Sequence, residues 1–257
     1  RTMIRALSFL EKRCYRKAAA ISVLSPAFRD NIIGRGLAAP DDIHTIPVGV
    51  DTDEMHPDKR SEHLRRELGW SGKKVILYTG AMGRANRLGQ LLDAATLLRD
   101  RDDIVIAIVG SGMEEPALRE RVQQEGLSNV LLHGPKPKED MPAIVASADI
   151  CTAVLMKNDT FKTVYPNKVF DYMACQRPVI LGIDGIIREL VECVGAGVFA
   201  EPECPEVIRD RILEVVDSPE RMDQMGKAGR AYVEQHFARG TMADRYLDVL
   251  SQTAGGL

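Results

Sequence analysis

Lys168 and Asp171 sit three residues apart in the stretch from Thr163 to Ile180, and both carry groups suited to one kind of ligand. The lysine offers a mobile cation. The aspartate, about one helical turn further on, offers two acceptors at a distance suited to a ribose diol. The residues around them set the backbone. Pro166 fixes its own φ and pushes Tyr165 out of the helical region, so the chain arrives as a loop. Val169, Phe170, Met173 and Ala174 then carry apolar groups at helical spacing, until Pro178 stops the helix and Val179-Ile180-Leu181 begins a buried strand. A loop entering a helix exposes unpaired backbone N–H groups beside the positive end of the dipole, which favours phosphate. The same residues also suit a plain helix with a charged outer face, so the surroundings decide.

Those surroundings alternate regularly from Lys73 onward. Strand patterns fall at 75–79, 103–109, 130–133, 150–155, 179–183 and 197–199, with helical patterns at 90–99, 114–125, 138–147, 186–194 and 205–217. Near-continuous apolar strands between helices argue for an α/β fold with a Rossmann-like parallel sheet covered on both faces. Ligands of such sheets bind beyond the carboxyl ends of the strands. Thr79-Gly80, the Gly110-Ser111-Gly112 turn, Gly134-Pro135 and the 160s loop all fall on that rim. The loop from Gly80 to Gly89 is rich in Gly and Arg. It can bring backbone to a diphosphate, with Arg84 or Arg87 supplying bidentate charge. It contains neither Gly-x-Gly-x-x-Gly nor a Walker lysine, and it also reads as an exposed turn with solvated arginines. Gly110 and Gly112 alone read as strand-ending turns that become candidates for ligand approach only by their place on the rim, and Lys136 and Lys138 by themselves read as surface charge.

The totals exclude several classes. At 257 residues the chain can bury one or two cores, and 45% hydrophobic with 28% charged residues is ordinary for a globular protein. A net charge of −3 provides no global basic field for nucleic acid. The five cysteines (Cys14, Cys151, Cys175, Cys193, Cys204) contain no Cys-x-x-Cys pair, which argues for a reducing compartment and against structural zinc. No apolar run approaches the roughly 18 residues of a membrane span. No signal peptide is visible, and an opening on Arg1 rather than Met leads us to expect a fragment.

Residues 1–17 carry six Lys/Arg against Glu11 alone, with Ile4, Leu7, Leu10, Cys14 and Ala18 near one helical face. That pattern fits a surface helix lying on a core, or one lying on an anionic membrane. A strand at 19–25, a helix at 26–34 and a strand at 44–51 follow, with a polar boundary at 51–72. Asp51-Thr52-Asp53 has a metal–nucleotide pattern but reads better as linker chemistry. Residues 220–250 pattern as one or two helices broken near 237–240, and the last seven residues are expected to fray. No Ser-His-Asp or Cys-His set can be assembled, and Cys175 is expected to pack under the motif helix.

The motif Pro166-Asn167-Lys168-x-Phe170-Asp171-Tyr172-Met173-Ala174, followed by Pro178-Val179-Ile180, resembles that of the family-4 retaining glycosyltransferases, which have the GT-B fold. Within that family it is similar to the bacterial surface-polysaccharide branch with a Pro-x-Lys-x-Phe-Glu-Tyr signature. The likeness runs over essentially the whole chain, including Ile46-Pro-x-Gly49-Val50-Asp51 and Glu234-Gln-His-Phe237. It implies that Asp171, usually Glu in the family, holds the ribose hydroxyls. A second family Glu falls on Thr163, and the family's loop Arg and Lys fall on Ala81 and Asn86, leaving Arg84 or Arg87 to meet the diphosphate beside Lys168. Gly134, Pro135 and Lys136 fall where main chain meets the base, with Tyr165, Pro166 and Asn167 also at the nucleotide. The resemblance further implies a UDP-sugar donor, an amino or deoxy hexose, and a lipid-linked or saccharide acceptor. It implies no cofactor and no metal; the charge balance argues against a nucleic-acid partner, the cysteines for a cytoplasmic protein, and the basic N-terminal helix leaves peripheral contact with an anionic membrane open. Residues 1–52 would be the tail of an acceptor domain plus linker, 53–235 the nucleotide-sugar-binding domain, and 236–257 a helix packing back toward the first. A nucleotide-sugar epimerase of similar fold stays open, although the acid/base carboxylates and histidines it needs are missing from the rim. So does a non-catalytic nucleotide-sugar-binding module.

Overall fold

The computed structural model describes residues 2–255. Helix α1 (Thr2–Lys17) leads into a small two-stranded parallel sheet, β1 (Ile21–Val23) beside β2 (Ile43–Thr45), with α2 (Pro26–Gly34) between them. Ser25 caps α2 by accepting from the Phe28 amide at 3.3 Å, and Pro26 fills the first helical position, where an N–H has no intrahelical partner. Ile21, Val23, Ile32, Leu37 and Ile43 make a separate small core.

The larger unit opens with α3 (Glu62–Glu67) and then alternates: β3 (Lys74–Thr79), α4 (Gly89–Thr96), β4 (Ile104–Val109), α5 (Glu115–Gln124), β5 (Val130–Gly134), α6 (Met141–Ser147), β6 (Ile150–Val154), α7 (Asn167–Ala174), β7 (Val179–Gly182), α8 (Ile186–Val194), β8 (Gly197–Phe199) and α9 (Pro205–Val216). The six strands are all parallel, in the order β5-β4-β3-β6-β7-β8. Alternate side chains of each strand serve opposite faces. Val75, Leu77, Val105, Ala107, Cys151 and Ala153 join one core with α6, α7 and α8. Ile76, Tyr78, Ile104, Ile106, Ile108 and Ile150 join the other with α4, α5 and α9. Burial on both faces is the reason these strands read as continuous apolar runs.

The segment before β3 is fastened to the sheet. Buried Arg65 of α3 lies 3.2 Å from Asp149, whose Oδ2 also accepts the Val75 amide at 2.9 Å. The boundary expected at 51–72 therefore ends before α3.

Helix α10 (Pro219–His236) runs beside α7, and Gly226 makes the approach possible, because a Cβ there would lie 2.4 Å from the Gln176 carbonyl oxygen. Helix α11 (Arg239–Gly255) carries helical structure through most of the seven residues expected to fray; 256–257 lie outside the described residues. Between the last two helices the chain crosses the linker: the Val50 amide donates to the Phe237 carbonyl and the Arg239 amide to the Val50 carbonyl. Among the described residues no helix is long and apolar enough to cross a membrane.

Candidate functional site

Strand order reverses between β3 and β6, and in open parallel sheets the ligand crevice lies at that reversal, outside the carboxyl ends of the strands. Lys168 reaches it from the first turn of α7. Its Nζ stands 4.0 Å from the centroid of the Tyr78 ring near the end of β3. It also fills space that only a glycine leaves open, since a Cβ on Gly80 would lie 2.8 Å from Nζ. Burial lowers the Lys168 pKa to about 8, and no carboxylate among the described residues pairs with it. Pro166 stands at the N-cap of α7 and no side chain caps the helix there; the Val169 amide turns back to the Pro166 carbonyl at 3.0 Å, and the amides of Asn167 and Lys168 precede it at the helix start. Asn167 is exposed there.

Asp171 is half-buried on α7. Burial pushes its pKa up to about 6, with Arg239 and Lys138 opposing that shift and Glu54 adding to it. Its carboxylate accepts no hydrogen bond from the described residues, so both oxygens remain free for an incoming diol.

The buried Tyr172 hydroxyl ties α7 to the tip of β3: the Thr79 amide donates to it at 2.9 Å, and the Thr79 hydroxyl lies 3.0 Å away. On the outer side of α7, Arg230 of α10 donates to the Ala174 and Met55 carbonyls. The helix that carries both candidate side chains is thus held from two sides. Sequence reasoning missed Tyr78, and it put Thr79 on the rim and Tyr172 in the motif without seeing that they bond each other. A tyrosine near the end of an otherwise aliphatic strand was the available signal for the first.

The other expected residues divide. Gly80, Gly110 and Gly134 do meet on one rim: the Gly80 amide donates to the Val109 carbonyl, and the Gly110 amide to the Gly134 carbonyl at 2.9 Å. Gly110 is needed for backbone packing rather than for ligand approach, because a Cβ there would sit 1.9 Å from the Gly80 oxygen. Gly112 is likewise pressed against Met82, since a Cβ on it would lie 2.5 Å from the Met82 oxygen. Gly134 ends β5 with φ +71°, and Pro135 and Lys136 stand exposed beyond it.

Four other expected residues have partners of their own in the structure. Arg84 lies 3.8 Å from Glu114 and Arg87 lies 3.4 Å from Glu203, and both line a cleft of about 780 Å³ to which Lys168 and Asp171 contribute nothing. Thr163 turns its hydroxyl back to the Thr160 carbonyl at 2.7 Å, and its own carbonyl accepts from Ser25 Oγ at 2.7 Å. Tyr165 is taken up by an aromatic cluster, edge-on to Phe170 and Phe237 at 5.7 and 6.2 Å. Asp51, by contrast, closes a turn as read, accepting the Glu54 amide at 2.9 Å.

Residues 60–232, which hold the crevice, Lys168 and Asp171, match the family described as glycosyl transferases group 1. The chain belongs to that family. Relatives of this group 1 glycosyl transferase include spore coat protein SA of Bacillus subtilis, 24% identical over 252 residues, with 92% of this chain and 66% of the relative covered. They also include O-antigen chain mannosyltransferase C of Escherichia coli, 26% identical over 210 residues, covering 79% of this chain and 53% of the relative. A GDP-mannose-dependent monoacylated alpha-(1-6)-phosphatidylinositol monomannoside mannosyltransferase of Corynebacterium glutamicum is 27% identical over 217 residues, covering 80% and 55%. The alignments take in 53% to 66% of the length of these relatives. In fold, the chain is similar to Anabaena Alr3699/HepE, solved in complex with UDP: TM-score 0.81 at 20% identity, covering 92% of this chain and 65% of that one. The parallel sheet flanked by helices matches GT-B glycosyltransferase structures.

Proposed function

We propose that this chain is the donor-binding part of a retaining, metal-independent glycosyltransferase that uses a UDP-sugar to extend a lipid-linked or saccharide acceptor of the bacterial envelope. The observation that carries the reading is the placement of Lys168: an ammonium without a carboxylate partner, at the strand-order reversal, beside the uncapped start of α7. As the glycosidic bond to the nucleotide breaks, negative charge grows on the diphosphate, and donors already aimed at it stabilise that state more than the ground state. Helix amides and the Lys168 ammonium supply those donors. Asp171, one turn along the same helix, accepts from the ribose diol, with Asn167 and Pro166 framing the mouth and Gly134, Pro135 and Lys136 turned toward the base.

UDP is the nucleotide named with the similar fold of Alr3699/HepE. A second reading, a GDP-sugar donor, is favoured by relatives whose names specify GDP-mannose. Peripheral contact with an anionic membrane would use α1, where Met3, Ile4, Leu7 and Leu10 are exposed and Arg5, Lys12, Arg13 and Arg16 supply positive charge.

Isothermal calorimetry with UDP and GDP tests the donor site. Binding of one of them at micromolar to millimolar concentration is expected, and silence from both at millimolar concentration would sink the reading. Asp171→Ala is expected to weaken the nucleotide at least about tenfold, equivalent to one charge-assisted hydrogen bond or more, while leaving inorganic diphosphate nearly unchanged. Equal loss of both ligands would remove the ribose role.

A further inference from the structure

An ammonium in a half-buried crevice usually rests against a carboxylate. Lys168 rests instead on the ring of Tyr78, 4.0 Å from Nζ to the centroid. That ring is itself fixed. Its hydroxyl donates to the Ala81 carbonyl at 2.9 Å and accepts from Asn86 Nδ2 at 2.7 Å. Burial raises the pKa of the phenol, so it remains a neutral donor through the working pH range. The chain on either side of the ring is pinned too, by the Tyr172 hydroxyl at Thr79 and by the close packing of Gly110 on Gly80. Nothing in this arrangement neutralises the lysine.

The distinction matters for a site that must receive a polyanion. A carboxylate seat would cancel most of the lysine's charge, and an incoming diphosphate would have to displace it. An aromatic face holds the ammonium through the ring quadrupole, and the attraction grows when water is excluded, yet no counter-charge cancels it. We infer that Tyr78, held by Asn86, is a positioning residue whose ring seats the Lys168 ammonium at the strand-order reversal and leaves its charge for the donor diphosphate. The inference rests on the donor-site reading of Lys168. It also accounts for one of the two loop positions that depart from the resembled family pattern. Asn86 through its side-chain amide holds the seat of the cation rather than contributing a cation itself, while the Ala81 main-chain carbonyl would be offered by any residue there.

The test compares Tyr78→Phe, Tyr78→Leu and Asn86→Ala with the wild-type chain. NMR of the lysine side chains, with Lys168 assigned by its absence in Lys168→Met, reads the seat without any ligand. The Lys168 Cε protons are expected upfield of those of other lysines in the wild type and in Tyr78→Phe, and back among them in Tyr78→Leu. Calorimetry then reads the consequence. Tyr78→Leu is expected to weaken UDP about five- to thirtyfold and Asn86→Ala about threefold, with Tyr78→Phe within about threefold of the wild type, as loss or retention of a cation–π contact would give. Binding of uridine, which has no diphosphate, is expected to change in none of them. An unshifted Lys168 in the wild type overturns the inference. So do unchanged UDP affinities in Tyr78→Leu and Asn86→Ala, or equal losses for uridine and UDP. Asn86→Ala spares the core and keeps the test open should Tyr78→Leu fold poorly. If the wild type itself binds neither UDP nor GDP, the donor-site reading falls first and takes this inference with it; if the wild type binds and only the variants are silent in effect, the seat alone is refuted.

Discussion

At the scale of single residues, both candidate side chains are held in the form that the fold likes least. The Lys168 pKa is lowered to about 8 and the Asp171 pKa raised to about 6, each by burial. Between about pH 6 and 8 both are charged, and each charge costs stability because neither has a partner to offset desolvation. The sign follows from proton counts. Unfolded Asp releases its proton near 3.8 and the folded one near 6, so stability falls as pH rises between those values and stays lowered above them. Asp171→Asn is therefore expected to stabilise the protein at pH 7 by about 1–2 kcal/mol while losing nucleotide affinity, with chemical denaturation and calorimetry as the two measurements. Destabilisation would mean that Asp171 has an internal partner in solution. The same values bracket binding. UDP affinity is expected to be greatest between about pH 6 and 8, falling on the acid side as Asp171 protonates and on the alkaline side as Lys168 loses its proton. Lys168→Met should remove the alkaline limb and Asp171→Asn the acid one; limbs that survive both substitutions would belong to the nucleotide.

At the scale of elements, the crevice depends on how closely two strand ends and one helix approach. The tips of β3 and β4 touch through Gly110 and Gly80, and α7 joins them through Tyr172. Gly110→Ala must push its Cβ away from the Gly80 oxygen, and the residue sits at φ +148°, where an L side chain is strained. Urea unfolding should show a loss of about 2–4 kcal/mol, with weaker UDP binding, because Gly80 floors the Lys168 seat. Gly69→Ala, also at positive φ but with nothing within 4 Å of its Cβ, serves as the control and should cost about 1 kcal/mol or less with UDP binding intact. Much of this level was legible in the sequence. Continuous apolar runs such as Ile104 to Val109 can only be strands buried on both faces, and Pro166 and Pro178 bound α7 by removing backbone freedom. Side-chain direction was not legible. Spacing puts Arg84 and Arg87 in the right loop, but their partners Glu114 and Glu203 come from distant segments, and a carboxylate brought by tertiary packing decides where an arginine points. Tyr165 was missed in the same way: its partner Phe237 lies 72 positions along the chain.

At the scale of the whole molecule, strand order is what turns a list of loops into one site. The alternation announces six strands but not the sequence 5-4-3-6-7-8, and only that order sets β3 beside β6 and opens the crevice over Lys168. The same scale separates two bodies of unequal strength. The six-stranded sheet carries a core on each face, whereas β1 and β2 are three residues each and share a core of five buried side chains. A two-stranded sheet of that size is marginal by itself. Its ties to the larger unit are few: the Ser25–Thr163 hydrogen bond, the crossing of Val50 with Phe237 and Arg239, and Gly49 packed on Met242. Hydrogen exchange is expected to report this as separate opening, with amides of β1 and β2 protected less than those of β3 and β4 by a factor of about 100 or more. On the proposed donor site, saturating UDP should then slow exchange at the tips of β3 and β4 and in the first turn of α7, and leave β1 and β2 unchanged. Protection spreading equally into β1 and β2 would place part of the nucleotide site in the smaller unit and contradict a crevice built from β3, β6 and α7 alone.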